Sequence, residues 1–316
     1  MMFAMVFAGQ GSQSVGMMNG FGERPEIRAT FDEASTVLGA DLWALQQNGP
    51  AELQNQTVNT QPLMLTAGVA TWRAWLAAGG AQPACMAGHS LGEYTALVAA
   101  GALEFADALR LVRLRAQAMQ DAVPEGTGGI AAILGLDVAA VQAVCAEAAA
   151  GEVLEAVNLN SPNQVVIAGQ RGAVERGMAL AKQRGAKRAL MLPMSVPSHC
   201  ALMKPAAARL EAALATVAMA HPRVPVLQNA DAAVHPTPDD IKAALVRQLY
   251  SSVRWIETVQ AFAAQGIGAV VECVPGKVLT GLNTRIDSAL QCLSVHDAAA
   301  LAVAVSEFGA KPGASS

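Results

Sequence analysis

The sequence predicts an α/β protein in which a large domain, built on a parallel sheet, carries an inserted ferredoxin-like small domain. Three observations support this prediction. Short apolar segments bounded by Gly, Pro or Asn alternate with segments of helical period, as in a parallel sheet flanked by helices. Between residues 126 and 197 the order of elements changes. The length of 316 residues suits one large domain with a smaller one inserted.

Four apolar segments are the predicted strands of the large domain, which would comprise residues 1–125 and 198–316 and be α/β-hydrolase-like. They are FAMVF (3–7), ACMAGH (84–89), VPVLQ (224–228) and AVVECV (269–274). The first is too short, and too poor in flanking basic residues, for a signal peptide. A buried strand explains it better.

The predicted small domain, residues 126–197, reads as β-α-β-β-α-β, the order of a ferredoxin-like unit. Its elements are the strand GIAAILGL, a helix at 138–149, the strands EAVNLN and QVVIAG, a helix at 171–184, and the strand KRALML. Ser161-Pro162-Asn163 would join the central strands as a hairpin. We expect the chain to leave and re-enter the large domain at 126–129 and 193–197.

Composition excludes several functional classes. The net charge of −4 does not favour nucleic-acid binding, which needs a basic face. No uncharged apolar run approaches the ~20 residues that span a bilayer. The cysteines are odd in number and never form a C-x-x-C pair, so neither a disulfide framework nor a zinc site is predicted. They are Cys85, Cys145, Cys200, Cys273 and Cys292. A reducing cytoplasm fits this usage.

Ser90 is the candidate nucleophile. Gly88-His89-Ser90-Leu91-Gly92 is a G-x-S-x-G pattern between an apolar strand and the helical segment EYTALVAAGA, which is the context that this pattern requires. In such a turn the serine is exposed, and the helix N-terminus presents N–H groups to a developing oxyanion. The alternative is an ordinary turn in which Ser90 caps the helix.

His199 is the candidate general base. His89 adjoins Ser90, and neighbouring side chains at a sharp turn point apart. His221, His235 and His296 lie in segments with no other distinctive feature. His199 lies in MSVPSHCALMKP, at the predicted domain junction, which is a common place for active sites. The alternative is a histidine bonded within the first turn of the helix that follows.

Arg115 lies where an apolar residue belongs. On a helical wheel of residues 106–123 it falls in the buried stripe that includes Leu111 and Met119. A guanidinium there needs a partner, because an unpaired buried charge is strongly destabilising. The partner could be a structural carboxylate or the carboxylate of a substrate, which arginine binds through two parallel hydrogen bonds. Ser, His and Arg together suggest transfer of an acyl group that carries a carboxylate, as malonyl thioesters do.

The chain resembles the bacterial malonyl-CoA:acyl carrier protein transacylases over nearly its whole length. The matching segments occur in the family's order and are GQGSQ (9–13), GHSLGEY (88–94), RLRAQAMQ, NSPNQVVIAG (160–169), VPSHCALMKP (196–205), VRQLYSSVRW (246–255) and PGKVLTGL (275–282). Two positions depart from the family's motifs. Ala8 replaces a usual proline. Val274 replaces a usual glycine, which bears on the path of that loop and not on the chemistry.

The resemblance implies ping-pong transfer of malonyl from malonyl-CoA to the phosphopantetheine thiol of acyl carrier protein, supplying fatty acid biosynthesis. Ser90 would carry the ester, His199 would be general base and acid, and Arg115 would bind the malonyl carboxylate. No metal or redox cofactor is implied.

Further roles rest on the resemblance alone. The backbone N–H groups of Gln10 and Leu91 would form the oxyanion hole, and the main-chain carbonyl of Gln248 would orient His199. As alternatives, Gly9 and Gly11 could simply shape a turn after the first strand, and Gln248 could be a surface helix residue.

The partner that the resemblance implies, acyl carrier protein, is usually acidic, so we expect a local basic patch. Its candidate residues are Lys182, Arg184, Lys187 and Arg188, which could instead form a solvated helix end. Three other functions remain open. They are a stand-alone acyltransferase of a polyketide assembly line, a serine hydrolase such as a thioesterase, and a non-catalytic carrier-binding module.

Overall fold

The structure is a computed structural model that describes residues 1–193, 196–273 and 276–310. The strands in this part of the chain are β1 (Phe3–Phe7), β2 (Cys85–Gly88), β3 (Gly128–Leu134), β4 (Leu154–Ser161), β5 (Gln164–Gln170), β6 (Arg188–Met191), β7 (Val226–Leu227), β8 (Ala269–Glu272) and β9 (Gln291–Ser294).

The helices begin with α1 (Pro25–Leu38), α2 (Leu42–Asn48), α3 (Ala51–Gln54), α4 (Thr57–Ala77), α5 (Gly92–Ala99), α6 (Phe105–Ala122) and α7 (Val138–Ala149). They continue with α8 (Arg171–Gln183), α9 (Lys204–Leu214), α10 (Pro238–Gln248), α11 (Trp255–Ala264), α12 (Val278–Ile286) and α13 (Ala298–Phe308). None of the helices in the described residues is both long and apolar enough to cross a membrane.

The chain forms two compact units. The first unit consists of Met1–Arg113, Ala218–Leu227 and the described residues from Ala261 onward. The second unit consists of Leu114–Val217 and Gln228–Gln260. The predicted small domain, residues 126–197, falls inside the first segment of the second unit, and its boundaries stay a prediction.

The first unit contains a parallel sheet in the order β7-β2-β1-β8-β9. All five residues of β1 are buried, as expected for a central strand with both faces covered. The register pairs Phe7 with Gly88 and Val6 with Glu272, so the carboxyl ends of β1, β2 and β8 lie side by side. This edge of the sheet therefore brings together the segments that follow the three strands.

The second unit contains an antiparallel sheet in the order β4-β5-β3-β6. The order along the chain is β3-α7-β4-β5-α8-β6, and β4 and β5 join at Pro162 and Asn163, as predicted. One face of the sheet packs against α7 and α8 around a core that includes Ile133, Val144 and Ile167. The predicted α/β class, with a parallel sheet and a separate second sheet, is confirmed.

Two sequence-based expectations concern residues outside the described part of the chain. Val274, the departure in the segment after β8, is one of them. Residues 194 and 195, in the expected return crossing to the large domain, are the other.

Candidate active site

Ser90 lies between β2 and α5 with a backbone φ of 52°. This left-handed conformation is uncommon for a residue with a side chain and marks a strained turn. The N-cap position of α5 is Leu91, and its side chain forms no capping bond. A serine that caps a helix normally has extended backbone, so the geometry at Ser90 differs from that of a simple cap. Ser90 is partly exposed.

The two glycines of the motif are required by close backbone packing. A Cβ atom at Gly88 would lie 1.9 Å from the carbonyl carbon of Gly92. A Cβ atom at Gly92 would lie 2.0 Å from the carbonyl oxygen of Phe7, the last residue of β1. Any side chain at either position would push the turn away from the sheet, so both glycines set the position of Ser90.

The segment after β1 lies directly against the Ser90 turn. A Cβ atom at Gly9 would be 2.4 Å from the carbonyl oxygen of His89 and 3.5 Å from the backbone nitrogen of Leu91. The Gln10 side chain donates a hydrogen bond to Thr57 Oγ1 at 3.2 Å, which anchors this segment to α4. Gly9 therefore has a packing role as well as a place in the turn.

Two backbone donors are available at this turn. Within the described residues, neither the Gln10 N–H nor the Leu91 N–H donates a hydrogen bond to a protein acceptor. Leu91 also precedes the N-terminus of α5, where the helix dipole favours negative charge. Both N–H groups are therefore available as donors, and their role in an oxyanion hole stays a prediction.

His199 is held by two carbonyl groups at the C-terminal end of α10, those of Gln248 and of the C-cap residue Leu249. Its backbone N–H donates to the Leu249 carbonyl at 3.0 Å, and its Nδ1 donates to the Gln248 carbonyl at 2.7 Å. The final carbonyls of a helix have no partner within the helix, which leaves these two free to accept. A carbonyl oxygen can only accept, so Nδ1 carries the hydrogen and Nε2 is left able to take up a proton.

The backbone around His199 is not that of a histidine in the first turn of the helix that follows it. The residue is 2% exposed and has a φ of 65°. A short 3-10 turn at Ala201–Met203 follows it, and α9 begins only at Lys204. The end of α10, which is distant in the chain, therefore positions this histidine.

Arg115 is 1% exposed on α6, in keeping with its place in the apolar stripe. Its Nη2 donates a hydrogen bond to Gln248 Oε1 at 2.9 Å. The acceptor in this bond is a neutral amide, which brings no negative charge to the guanidinium. Arg115 can thus hold a carboxylate in a buried position.

Gln248 bonds to both His199 and Arg115, through different atoms. Its main-chain carbonyl bonds to His199 and its side-chain oxygen to Arg115. The residue is 0% exposed, so its interpretation as a surface helix residue is wrong. The side-chain contact with Arg115 was not predicted from the sequence. The sequence shows only that Gln248 falls in the buried stripe of α10, with Ile241, Ala244 and Leu245, which indicates burial and no particular partner.

The six predicted residues fall into two groups. Gln10, Ser90 and Leu91 belong to the first unit, and Arg115, His199 and Gln248 to the second. The first group offers a hydroxyl beside two N–H donors. The second offers a base, its orienting carbonyl and a cation. Of the other histidines, His235 bonds to Asp231 at 3.0 Å.

Cys200, next to His199, is not a competing nucleophile. The side chain is 0% exposed, and Sγ donates to the Pro197 carbonyl at 3.1 Å. Burial raises the pKa of the Cys200 thiol to about 12, so the reactive thiolate is not formed near neutral pH. In the described residues, no group of three or more His, Cys, Asp or Glu side chains could hold a metal ion.

The four residues of the expected basic patch are exposed on the second unit. Lys182 lies in the last turn of α8, and Arg184 follows that helix and pairs with Glu147. Arg188 begins β6, an edge strand of the antiparallel sheet. On this edge strand Leu190 and Met191 are also exposed, at 49% and 38%.

Comparison with known proteins gives consistent results. A family model described as the acyl transferase domain matches residues 4–301. The malonyl CoA-acyl carrier protein transacylase of Salmonella typhimurium is 55% identical over 306 residues, which are 96% of this chain and 99% of that protein. The protein of the same description from Bacillus subtilis is 42% identical over 304 residues, 96% of each chain.

Solved structures resemble the fold closely. The acyl-carrier-protein S-malonyltransferase of Burkholderia pseudomallei has a TM-score of 0.95 and 57% identity, covering 97% of this chain and 100% of that one. The complex of a type II polyketide-synthase acyl carrier protein with its malonyl-transacylase has a TM-score of 0.96 and 52% identity, again covering 97% and 100%.

Proposed function

The chain belongs to the acyl transferase domain family, and from this premise we propose that it transfers malonyl from malonyl-CoA to the phosphopantetheine thiol of acyl carrier protein, supplying fatty acid biosynthesis. The observation that carries the proposal is the buried Arg115, bonded to the same residue that orients His199. A buried cation that shares a bonding partner with the base suits an acyl group that ends in a carboxylate.

In the first half-reaction, His199 Nε2 takes the proton of the Ser90 hydroxyl as Oγ attacks the thioester carbonyl of malonyl-CoA. The N–H groups of Gln10 and Leu91 stabilise the oxyanion of the tetrahedral intermediate. The carbon–sulfur bond then breaks, and His199 returns the proton to the departing thiolate of coenzyme A. Malonyl remains as an ester on Ser90.

In the second half-reaction, the carrier-protein thiol gives its proton to His199 and attacks the ester carbonyl. The bond to Ser90 Oγ breaks, and the serine recovers its proton from His199. A neutral orienting carbonyl stabilises the imidazolium less than a carboxylate would, so His199 is a weaker base than in a Ser-His-Asp triad. This suits exchange between thioesters and an ester, which react more readily than amides.

The most direct experiment is intact-mass analysis after mixing with malonyl-CoA, acetyl-CoA or methylmalonyl-CoA, with Ser90→Ala as control. The expected result is a malonyl adduct that Ser90→Ala lacks and that disappears when carrier protein is added. A malonyl adduct that is lost to water before carrier protein is added would favour a thioesterase. No adduct with any of the three thioesters would contradict the proposal.

The role of Arg115 has its own test. Arg115→Ala should lower the rate of malonyl-adduct formation by about tenfold to a hundredfold, since charge-assisted hydrogen bonds contribute ~1.5–3 kcal/mol each. Acetyl-adduct formation should fall much less. An unchanged malonyl preference would show that Arg115 is a structural residue.

For the carrier protein we propose docking at the patch of Lys182, Arg184, Lys187 and Arg188. Its exposure and charge support this, despite the net charge of −4. Reversing these charges should raise the KM for carrier protein and leave malonyl-adduct formation intact. The hypothesis fails if both half-reactions weaken equally.

The structural relative bound to a polyketide carrier supports a second candidate, service to a polyketide assembly line. Parallel assays with a fatty-acid and a polyketide carrier protein distinguish the two. A higher kcat/KM for the fatty-acid carrier is expected. The reverse preference would assign the chain to polyketide synthesis.

We further propose that residues 126–197 form a ferredoxin-like small domain inserted in an α/β-hydrolase-like large domain of residues 1–125 and 198–316. The β-α-β-β-α-β order and the antiparallel strand order of the second unit support the insertion. The cytoplasm is the proposed location, because the five free cysteines suit a reducing compartment.

A further inference from the structure

Gln248 makes its two contacts through chemically independent parts. The contact with His199 uses the main-chain oxygen, at 2.7 Å from Nδ1. The contact with Arg115 uses the side-chain oxygen, at 2.9 Å from Nη2. A substitution at position 248 therefore changes this contact of Arg115 while a carbonyl remains at the same place for His199. This separates acyl-group recognition from general-base function.

The amide of Gln248 is oriented by a second polar group. Its Nε2 points to Asn229 Oδ1 at 3.5 Å, and both side chains are 0% exposed. Asn229 is itself tied to the fold, because its main-chain carbonyl accepts from the Arg254 N–H at 3.0 Å. If the Gln248 amide were flipped, its NH2 group would face the guanidinium of Arg115, and two donors would oppose each other. The network therefore turns the oxygen toward Arg115.

The neutrality of this acceptor has a functional meaning. On the surface of the second unit, Arg176 pairs with Glu152 and Arg209 with Asp121. In the interior, Arg115 bonds to the side-chain amide of Gln248, which has almost the same shape as the carboxyl group of a glutamate. An acid at position 248 would compete with a substrate carboxylate for the same cation. The Gln248 amide bonds to the guanidinium without placing a negative charge of its own beside it.

We propose that the side chain of Gln248 is a positioning residue that sets the preference for carboxylate-bearing acyl groups, by holding Arg115 in place with an uncharged partner. The inference rests on the proposed function, since it concerns the acyl group that Ser90 receives. It goes beyond that function in giving the side chain of Gln248 a role in selectivity.

The test compares Gln248→Glu, Gln248→Met and the unaltered protein. The rate of Ser90 adduct formation is measured by intact mass with malonyl-CoA and with acetyl-CoA, and the ratio of the two kcat/KM values is the readout. Gln248→Glu should lower the malonyl-to-acetyl ratio by about tenfold or more, because the introduced carboxylate forms an ion pair with Arg115 in place of the substrate carboxylate. Gln248→Met keeps the size but removes the acceptor, so the malonyl KM should rise several-fold with little change in kcat.

The pH profile adds a readout that a purely structural role would not change. Protonation of His199 slows both substrates alike, so it cancels in the malonyl-to-acetyl ratio. In Gln248→Glu the ratio should recover as the pH is lowered and the introduced carboxyl takes up a proton. The ratio of the unaltered protein should stay constant over the same range.

Gln46→Glu is the matched control, because Gln46 is also 0% exposed and its Oε1 accepts a hydrogen bond from the Met18 N–H at 3.3 Å. This change places the same charge in the interior of the first unit and should leave the malonyl-to-acetyl ratio unchanged. Equal losses with malonyl and acetyl in Gln248→Glu would overturn the inference. Failure of the unaltered protein to form a malonyl adduct would instead overturn the proposed function.

Discussion

Backbone strain is concentrated at the candidate catalytic residues. Four non-glycine residues in the described part of the chain have positive φ, and they are Ser90, Ala150, His199 and Ala232. Two of the four are the candidate nucleophile and base. Such conformations persist only where the surrounding structure enforces them, and here the tight glycine contacts and the end of α10 do so.

This strain predicts an unusual order of stability at position 90. Glycine normally destabilises a fold relative to alanine, but at φ 52° an alanine side chain is strained and glycine is not. We expect Ser90→Gly to have a free energy of unfolding about 0.5–1 kcal/mol higher than Ser90→Ala. Urea denaturation of the two variants measures the difference. Equal stability, or a more stable alanine variant, would mean that the turn relaxes easily.

At the same scale, the sequence predicts some site residues better than others. Arg115 could be found because a charged residue in an apolar stripe contradicts the helical pattern. The side-chain contacts of Gln248 could not be found in this way, because a single glutamine in such a stripe is common. Its partners lie 133 and 19 residues away in the chain, and only the fold brings them together.

Among the elements, β8 and α12 are joined by a buried acid. Glu272, the last residue of β8, is 0% exposed. Its carboxyl accepts hydrogen bonds from the N–H groups of Leu279 and Thr280, at 3.1 and 2.8 Å, and from the Thr280 hydroxyl at 2.8 Å. These donors lie in the first turn of α12, where a negative charge is favourable. Burial nevertheless outweighs the hydrogen bonds and raises the pKa of Glu272.

The raised pKa of Glu272 predicts how stability depends on pH. Between its ordinary value of 4.5 and the raised value, the folded protein holds a proton that the unfolded chain has lost. The contribution of this group to stability is therefore greatest below pH 4.5 and decreases as the pH rises through the raised pKa. Glu272→Gln removes this titration. The melting temperature of the unaltered protein minus that of the variant should fall as the pH is raised from 4 to 8, and a constant difference would contradict the assignment.

The strands differ in how well the sequence predicts them. β1 and β8 could be predicted because central parallel strands are continuous apolar segments. β9 was missed because its segment, QCLS, is short, contains two polar residues and lies partly exposed at the edge of the sheet. β7 has only two residues, fewer than the segment VPVLQ suggested. The sequence of an edge strand has a weaker apolar pattern, because one of its long edges faces solvent and not another strand.

For the molecule as a whole, the two units share helices. The division between the units falls inside α6 and inside α11, so each of these helices contributes residues to both. Unfolding of one unit would therefore fray a helix that the other unit contains. We infer that the two units unfold cooperatively.

The cysteines allow this to be measured. Cys85 lies in the first unit and Cys145 in the second, both buried, and burial raises the pKa of their thiols to about 11 and about 12. Without denaturant we expect a thiol reagent to label the partly exposed Cys292 first. In increasing urea, Cys85 and Cys145 should become reactive over the same concentration range. Labelling of one at a clearly lower concentration, mapped by peptide mass, would show that the units unfold separately.

The central position of β1 also affects the time course of biosynthesis. β1 pairs with β8, and about 260 residues must be translated between them, which takes on the order of 13–50 s at ~5–20 residues per second. Throughout that interval the apolar strand β1 belongs to a ribosome-bound chain that lacks its partner strand β8. The strands of the antiparallel sheet, all between Gly128 and Met191, are complete much earlier. The nascent chain should therefore expose β1 to chaperones long after the second sheet can form.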